Sequence, residues 1–160
     1  MVDAMPKFLC DEMLGQLCRY LRAAGYDTRL ARDGESDAQL LQQCHAEGRY
    51  FLTQDTLIRE HKAAQGIALI LPPVALHHLA AILNDHFHLD WLGHAFTRCL
   101  VDNTPLVAAD EAALARAPDD ARKPGEQLRL CPACGRVYWR GSHYKRMHAM
   151  LAAWQTAAND

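Results

Sequence analysis

A chain of 160 residues, half of them hydrophobic, buries roughly 70% of its unfolded surface, which suits one main domain with a small appendage and excludes a second large core. The formal net charge of −2 excludes a uniformly basic coat, so a nucleic acid would have to meet a local basic patch. No apolar run approaches the ~20 residues of a membrane-spanning helix, so we expect no membrane partner.

The cysteine pattern and the N-terminus predict the compartment. Cys10, Cys18 and Cys44 lie in apolar contexts without a pairing pattern, which is typical of buried free thiols under reducing conditions. The N-terminal residues carry no basic segment followed by an apolar one, so they do not resemble a signal peptide. We therefore expect a cytoplasmic protein.

Short apolar runs alternate with helical patterns over the first half of the chain. Four runs predict strands, at residues 8–10, 28–31, 50–53 and 67–71. Apolar residues three and four apart predict helices between them, and a further helix after Pro73. This alternation is typical of parallel βαβ units with right-handed crossovers. The sequence predicts an α/β fold, with an open parallel sheet flanked by helices.

The first two predicted helices carry clear boundary and packing signals. The buried stripe of the first is predicted to be Met13, Leu14, Leu17, Cys18 and Leu21. Its other face is predicted to be Glu12, Gln16, Arg19 and Arg22. Gly25 suits a left-handed C-cap for this helix. Ser36 and Gln39 have the spacing of a capping box at the start of the second helix, which is predicted to bury Leu40, Leu41 and Cys44.

Three aspartates are predicted to meet at one edge of the sheet. Asp11 follows the first strand, Asp55 lies two residues past the third, and Asp37 lies in the first turn of the helix after the second. The carboxyl ends of parallel strands are where open α/β sheets bind ligands. Clustered carboxylates repel each other unless a cation neutralises them, and magnesium or manganese prefers such hard oxygen ligands. The pattern predicts a site for a divalent cation, magnesium or manganese.

A simpler interpretation of the same residues stays open. Aspartate at a helix N-terminus often serves only as a cap, contributing about 1 kcal/mol through free amides and the helix dipole. Asp37 argues against three independent caps, since its spacing to Leu40 and Leu41 places it along the buried stripe. Glu12 is a candidate fourth acid, and Thr53 either donates a hydroxyl to the site or only ends a strand.

A second metal site is predicted near the C-terminus. Cys131 and Cys134 have the two-residue gap of a zinc knuckle, and Cys99 and Asp102 repeat that spacing 32 residues earlier. Asp102 stands where a cysteine would complete a site of four thiolates. Aspartate is a rarer structural zinc ligand than cysteine, so we expect a zinc ribbon that holds its structural ion less firmly than an all-cysteine site.

The C-terminal region also carries a basic and aromatic pattern. Five cations follow one another without an intervening acid, namely Arg129, Arg136, Arg140, Lys145 and Arg146. Tyr138, Trp139 and Tyr144 are interleaved with them. Positive charge combined with aromatic platforms is typical of single-stranded RNA binding. Arg140, Lys145 and Arg146, with Arg19 and Arg22 of the first helix, are therefore the candidate substrate contacts, although the aromatic rings equally suit packing within the ribbon.

The ordered motifs FLCDEMLG (8–15), LRAAGYDT (21–28), LTQD (52–55) and YWRGSHY (138–144) resemble the Mut-seven C-terminal RNase domain. That family joins a PIN-like nuclease domain to a zinc ribbon, and the resemblance extends from about residue 7 to 150. It implies a PIN-like nuclease domain over residues 1–92, followed by a zinc-ribbon-like module with a C-terminal helix over residues 93–160. Two positions depart from the family pattern: Gln54 replaces an arginine, and Asp102 replaces a ribbon cysteine.

The resemblance implies a metal-dependent ribonuclease whose catalytic acids are Asp11, Asp37 and Asp55. These residues suit phosphodiester hydrolysis by a metal-activated water, without a side-chain nucleophile. A phosphorelay receiver is disfavoured because residues 67–74 lack the required lysine, and an Asp-x-Asp phosphatase because Met13 replaces the second acid. The alternative that remains is a non-catalytic module that binds RNA or a protein partner.

Overall fold

The computed structural model of the protein describes residues 5–159, and it contains a parallel sheet of four strands. These are β1 (Lys7–Cys10), β2 (Thr28–Leu30), β3 (Arg49–Thr53) and β4 (Ala68–Ile70). Their order in the sheet is β2-β1-β3-β4. Phe8 of β1 lies opposite Thr28 on one side and Tyr50 on the other. The predicted α/β architecture is confirmed, with β1 and β3 as neighbours at its centre.

Helices cover both faces of this sheet. They are α1 (Gly15–Ala23), α2 (Asp37–Glu47) and α3 (Leu76–Phe87). Successive β1 residues point to opposite faces: Phe8 and Cys10 join the core that contains α1 and α3, whereas Leu9 joins the core under α2. No helix within residues 5–159 is both long enough and apolar enough to cross a membrane.

The boundary signals of the first two helices are confirmed. Ser36 and Gln39 form a reciprocal capping box at the start of α2. Gly25 has φ +97° just after α1. A Cβ at this position would collide with the carbonyl oxygen of His94. Glycine is therefore needed at position 25 both for the left-handed backbone and for the close approach of the later chain.

Two predicted positions around α1 are wrong. Met13 is 57% exposed because it lies in a 3-10 turn (Glu12–Leu14) that precedes the α-helix, so it does not follow the buried stripe. Arg22 is only 7% exposed instead of facing solvent. A later loop covers the end of α1, and the Arg22 guanidinium donates to the carbonyl oxygens of Thr28, Leu100 and Val101.

The C-terminal region forms a small antiparallel sheet and two helices. Its elements are β5 (Val107–Ala108), α4 (Glu111–Arg116), β6 (Arg129–Leu130), β7 (Val137–Tyr138) and α5 (Ser142–Asn159). The sheet order is β5-β6-β7. Beside this sheet lies a minor core of Ala117, Ala121 and Leu128. The sheet, the cysteines and the long final helix correspond to the predicted ribbon-like module and C-terminal helix.

Helix α5 packs against the half of the chain that contains the parallel sheet. Met147, Leu151 and Trp154 are buried in the same core as α1 and α3. The Trp154 ring lies 4.9 Å from the Trp91 ring and 5.1 Å from the Tyr20 ring. The domain boundary between residues 92 and 93 stays a prediction. Helix α5 follows this boundary in the chain, but its buried side chains belong to the core formed mainly by residues before it.

Candidate active site and metal centre

Two of the three predicted acids meet at the carboxyl edge of the parallel sheet. Asp11 directly follows β1 and Asp55 lies just past β3, and these strands are neighbours. The Thr53 hydroxyl donates to Asp11 Oδ2 at 2.8 Å. The same hydroxyl accepts from the Asp55 backbone N–H at 3.1 Å. Thr53 is fully buried, so its hydroxyl fixes Asp11 relative to the chain at Asp55.

Both acids also cap short 3-10 turns. Asp11 Oδ1 accepts from the Glu12 N–H at 2.9 Å. Asp55 Oδ1 accepts from the Leu57 N–H at 2.9 Å. Each carboxylate thus uses one oxygen as a cap, and in Asp55 the Oδ2 atom remains for another ligand. Capping and metal binding are compatible at these positions, because a carboxylate has about four lone-pair sites.

Asp37 lies at the start of α2 and has a different neighbour. Its Oδ2 is 3.9 Å from His61 Nε2, and both side chains are partly exposed. Among the side chains of residues 5–159, the three aspartates do not form a group whose ligand atoms are close enough to share one ion. A common site for Asp11, Asp37 and Asp55 stays a prediction. The sequence did not indicate that His61 lies beside Asp37, since His61 follows β3 in an irregular segment without a recognisable spacing.

The other predicted residues at this edge have different surroundings. Glu12 is exposed, and Gln54 Nε2 donates to the Pro72 carbonyl oxygen at 3.1 Å. Arg19 is exposed on α1, and its Nη2 lies 3.4 Å from His143 Nε2 on α5. Burial, together with the charges of Arg19 and Arg146, lowers the pKa of His143 below its ordinary value. Arg22 lies in the protein interior, so we do not propose it as a substrate contact.

The predicted cysteine cluster forms as the spacing indicated. One ligand atom from each of Cys99, Asp102, Cys131 and Cys134 lies within 4.8 Å of all the others. The Sγ atoms of Cys99 and Cys134 are 3.8 Å apart, and Cys131 Sγ is 3.4 Å from each Asp102 oxygen. A tetrahedral ion with bonds of about 2.3 Å to sulfur requires sulfur–sulfur edges of about 3.8 Å. The cluster can therefore hold a metal ion.

Local backbone geometry shapes both halves of this cluster. Gly135 has φ +82° and donates its N–H to the Cys131 carbonyl oxygen, while the Cys134 N–H points to Cys131 Sγ at 3.4 Å. The Thr104 N–H donates to Asp102 Oδ1. Burial acts to raise the pKa of Asp102, but hydrogen bonds from Thr104, Cys99 and Cys131 outweigh it and hold that pKa below its ordinary value. Asp102 is thus ionised and available as a ligand.

The loop that carries Cys99 and Asp102 is tied to the parallel sheet. Arg22 donates to the carbonyl oxygens of Leu100 at 3.0 Å and Val101 at 3.1 Å. Asn103 Nδ2 donates to Asp27 Oδ1 at 2.6 Å, and its Oδ1 accepts from the Thr28 N–H at 3.0 Å. Two side chains therefore connect the metal cluster to the end of α1 and the start of β2.

Asp27 makes this connection dependent on pH. Burial acts to raise the pKa of Asp27, but hydrogen bonds from Arg49 and Asn103, with the charges of Arg49 and Arg98, hold that pKa below its ordinary value. A depressed carboxyl pKa contributes stability that is complete above the unfolded-state pKa of about 3.9 and is lost as pH falls through the folded-state pKa.

We expect Asp27→Asn to melt below the wild type at neutral pH, with a gap that narrows once the pH falls below about 4. Thermal melts of both proteins at a series of pH values measure this gap. Arg29 and Glu35 form a separate ion pair, so Glu35→Gln is a comparison outside the loop. A gap for Asp27→Asn that stays constant down to about pH 3 would contradict the assignment.

The predicted basic and aromatic residues divide between two roles. Lys145 and Arg146 are exposed near the start of α5, and the Arg140 guanidinium lies 5.9 Å from the centre of the Tyr144 ring. Tyr138 serves the ribbon, since its hydroxyl lies 3.0 Å from Cys99 Sγ and accepts from the Leu100 N–H. Trp139 packs partly against the minor core. Arg140, Lys145 and Arg146 thus remain available to a ligand.

Comparison with known proteins yields a family match and no individual relative. The model of the Mut7-C RNAse domain matches residues 6–151, which is nearly the whole chain. No curated protein and no solved structure gives a significant match. The family indicates a nuclease-like function, with RNA as the substrate or partner. The α/β sheet followed by a cysteine cluster and a final helix agrees with this match, and the chain belongs to the Mut7-C RNAse domain family.

Proposed function

We propose that the protein is a metal-dependent ribonuclease that hydrolyses phosphodiester bonds of single-stranded RNA at the carboxyl edge of its parallel sheet. The observation that carries this proposal is the Thr53 hydroxyl, which hydrogen-bonds both Asp11 and the Asp55 backbone. A buried threonine in this position fixes the Asp11 carboxylate beside the Asp55 backbone, at the ends of two adjacent strands. A solvent-exposed pair of caps would not need such a link.

The donors at this edge fit magnesium or manganese. Asp11 and Asp55, with Asp37 on α2, offer only carboxylate oxygens, which are the ligands that these hard cations prefer. When bound, the cation supplies a water of lowered pKa and neutralises charge on the phosphate. Asp11 and Asp55 would hold it, and Asp37 would join them by a movement of its side chain away from His61.

The surrounding residues have roles that do not depend on the cation. The cap bonds to Glu12 and Leu57 orient Asp11 and Asp55, and such preorganisation lowers the cost of reaching the reactive geometry. Arg19 is exposed on α1, the helix that follows Asp11, and is a candidate charged donor to an RNA phosphate. Glu12 is exposed beside Asp11 and remains a candidate auxiliary acid.

In the ribbon we propose zinc as the structural ion. Cys99, Cys131 and Cys134 are soft donors, and Asp102 completes four ligands of a tetrahedral set. The Arg22 and Asn103 contacts connect this site to the nuclease half. A bound zinc ion would therefore also hold the loop of Cys99 and Asp102 against α1 and β2.

Cleavage of labelled RNA tests the main proposal. We expect single-stranded RNA to be cleaved with manganese or magnesium, duplex RNA to be cleaved more slowly, and a chelator to stop the reaction. A chelator could also remove the ion of the ribbon. The zinc content of the protein is therefore measured after chelation, and added magnesium should restore cleavage when that content is unchanged. Absence of cleavage by pure protein under all these conditions would contradict the proposal.

We predict that the basic residues of the ribbon and α5 position the RNA without taking part in the chemistry. Replacing Arg140, Lys145 and Arg146 together by Ala should weaken RNA binding and flatten its log–log salt dependence by roughly 2 units, since each contact with a single strand contributes about 0.7. Cleavage at saturating RNA should persist. Binding titrations at several salt concentrations measure the slope.

A variant of equal charge change serves as the control for this experiment. Arg116, Arg122 and Lys123 are also exposed, and their replacement by Ala should leave the salt slope close to that of the wild type. Equal slopes for the two triple variants would show that Arg140, Lys145 and Arg146 do not contact the RNA backbone.

One observation favours a second candidate function. Asp11 and Asp55 both cap 3-10 turns, as a purely structural aspartate would. In that case the protein is a non-catalytic module that binds RNA or a protein partner through its ribbon. Titration with manganese separates the candidates: the nuclease should bind the ion through the parallel-sheet half, and the non-catalytic module should not.

A further inference from the structure

An aromatic cavity lies between the small sheet and α5, away from the acidic edge. Its volume is about 90 Å³, well above the roughly 10 to 15 Å³ that one water molecule needs on this measure. Its principal lining residues are Phe96, Arg129, Tyr138, Trp139, Arg140 and Tyr144. The lining contains two arginines and no acid. A cavity of this size and charge suits a single planar ring attached to an anionic chain.

The rings around the cavity are held in place but are not fully covered. Phe96, Trp139 and Tyr144 are each half-buried, and the Phe96 and Tyr144 ring centres are 4.2 Å apart. A Cβ at Gly141 would lie 2.8 Å from Trp139 Nε1, so glycine there permits the observed position of the indole. The cavity walls thus offer fixed aromatic surface that a further ring can stack against.

Phe96 reaches this cavity through an unusual backbone conformation. Its φ is +61°, which is a clear outlier for a bulky side chain. The Phe96 N–H donates to the Ala23 carbonyl oxygen at 2.6 Å, and Arg129 Nη1 donates to the Phe96 carbonyl oxygen at 3.3 Å. Strained residues of this kind persist where the surrounding structure enforces them, and they concentrate at ligand sites.

Two further cavities share lining residues with the aromatic site and extend toward the start of α1. A neighbouring cavity shares Tyr138 and Tyr144 with it and also includes His143. A third cavity, of about 410 Å³, shares His143 and continues along Arg19 to Gly15 at the start of α1. Only the short 3-10 turn Glu12–Leu14 separates Gly15 from Asp11. Shared lining residues thus relate the aromatic cavity, through His143, to the Arg19 side of α1, and α1 begins four residues after Asp11.

We propose that the aromatic cavity is a subsite for one unpaired nucleobase of the RNA strand whose backbone passes Arg19 on its way to Asp11. The base stacks against the aromatic walls, and Arg129 and Arg140 contact its flanking phosphates. This subsite rests on the proposed ribonuclease function and makes it specific for single strands, since a paired base cannot enter the cavity. It also gives Phe96 a role that sequence patterns did not indicate.

Binding measured without added divalent ion tests the subsite independently of cleavage. The probe is a uridine homopolymer, compared with a strand of the same length and charge that carries abasic sites. We expect the protein to bind the uridine strand more tightly than the abasic strand. Tyr144→Leu should weaken uridine-strand binding on the order of tenfold and abasic-strand binding little. Tyr144→Phe, which keeps the ring, should retain wild-type binding.

Two controls address folding and location. Tyr50 is an exposed tyrosine of β3 that packs against Phe87 outside the cavity, so Tyr50→Leu should not change the preference for bases. Trp91 and Trp154 are buried whereas Trp139 is half-buried, so the uridine strand should change the tryptophan fluorescence of the wild type and not that of Trp139→Phe. The fluorescence measurement remains informative even if Tyr144→Leu fails to fold.

The outcomes separate this proposal from the ribonuclease proposal. Equal binding of uridine and abasic strands by the wild type, or no effect of Tyr144→Leu in a folded protein, would overturn the subsite. Cleavage of RNA by that same wild type would leave the ribonuclease assignment intact. Base-dependent binding that Tyr144→Leu removes, in a protein that never cleaves RNA, would support the subsite and overturn the nuclease.

Discussion

Replacement of Asp55 by Asn is expected to abolish RNA cleavage while leaving the fold intact. The change removes the negative charge of a proposed metal ligand, and a bound cation contributes several kcal/mol of charge stabilisation to the transition state, so the rate should fall on the order of a hundredfold or more. The Asn side chain keeps an oxygen that can accept from the Leu57 N–H, since Asn and Asp cap helices about equally well. The melting temperature should therefore change little.

A matched control exists in the ribbon-like module. Asp110 caps α4 by accepting from the Ala113 N–H at 2.8 Å, so it has the same capping role without a neighbouring acid cluster. Asp110→Asn should cleave RNA at the wild-type rate. The wild type, Asp55→Asn and Asp110→Asn are purified in parallel, and their rates of single-turnover RNA cleavage with manganese are compared. If Asp55→Asn matches the wild-type rate after contaminating nucleases are excluded, Asp55 is a structural cap only.

Loss of the ribbon ion is expected to have the largest effect on stability. Cys131 is fully buried and its Sγ faces both Asp102 oxygens, so Cys131→Ser should release zinc and melt the small sheet together with its link to Arg22. Structural zinc contributes roughly 10 to 16 kcal/mol of binding free energy in isolated zinc-finger peptides, which sets an upper bound here. Zinc content by elemental analysis and thermal melts measure the effect.

Asp102→Cys tests the same site in the opposite direction. A fourth thiolate keeps the formal charge of the ligand set and binds zinc more covalently, so zinc should transfer more slowly to a competing chelator and the ribbon should melt at a higher temperature. Cys44 is a buried residue of α2 outside the cluster, and Cys44→Ala should leave the zinc content unchanged. The zinc assignment is wrong if the purified protein contains no zinc and Cys131→Ser has wild-type stability.

Local sequence signals were sufficient for most of the parallel-sheet half. The strand positions followed from short apolar runs, because a strand buried on both faces needs apolar residues in succession. The start of α2 followed from Ser36 and Gln39, since a capping box satisfies backbone N–H groups within a few residues. Cys99, Asp102, Cys131 and Cys134 came together as their spacing indicated, because two tight turns bring four ligands to one point.

The candidate active site could be predicted only in part by the same reasoning. Asp11 and Asp55 were predicted at one edge because they follow the carboxyl ends of parallel strands. They lie close together because β1 and β3 are adjacent in the sheet. Asp37 and its proximity to His61 depend on the path of the segment after β3. That path is set by packing of irregular turns against α2, for which no periodic pattern exists.

The sequence by itself determined the α/β class, the sheet edge at which Asp11 and Asp55 lie, and the four residues of the ribbon cluster, because these depend on local periodicity and short spacings. Only the tertiary structure decided the environments created by residues far apart in the chain. Arg22 is buried because carbonyl groups of Leu100 and Val101 cover it, and α5 joins the first core through Trp154. Phe96 lines the aromatic cavity with a positive φ that a bulky residue disfavours. Two long-range hydrogen bonds hold this conformation: the Phe96 N–H donates to the Ala23 carbonyl oxygen, and Arg129 donates to the Phe96 carbonyl oxygen.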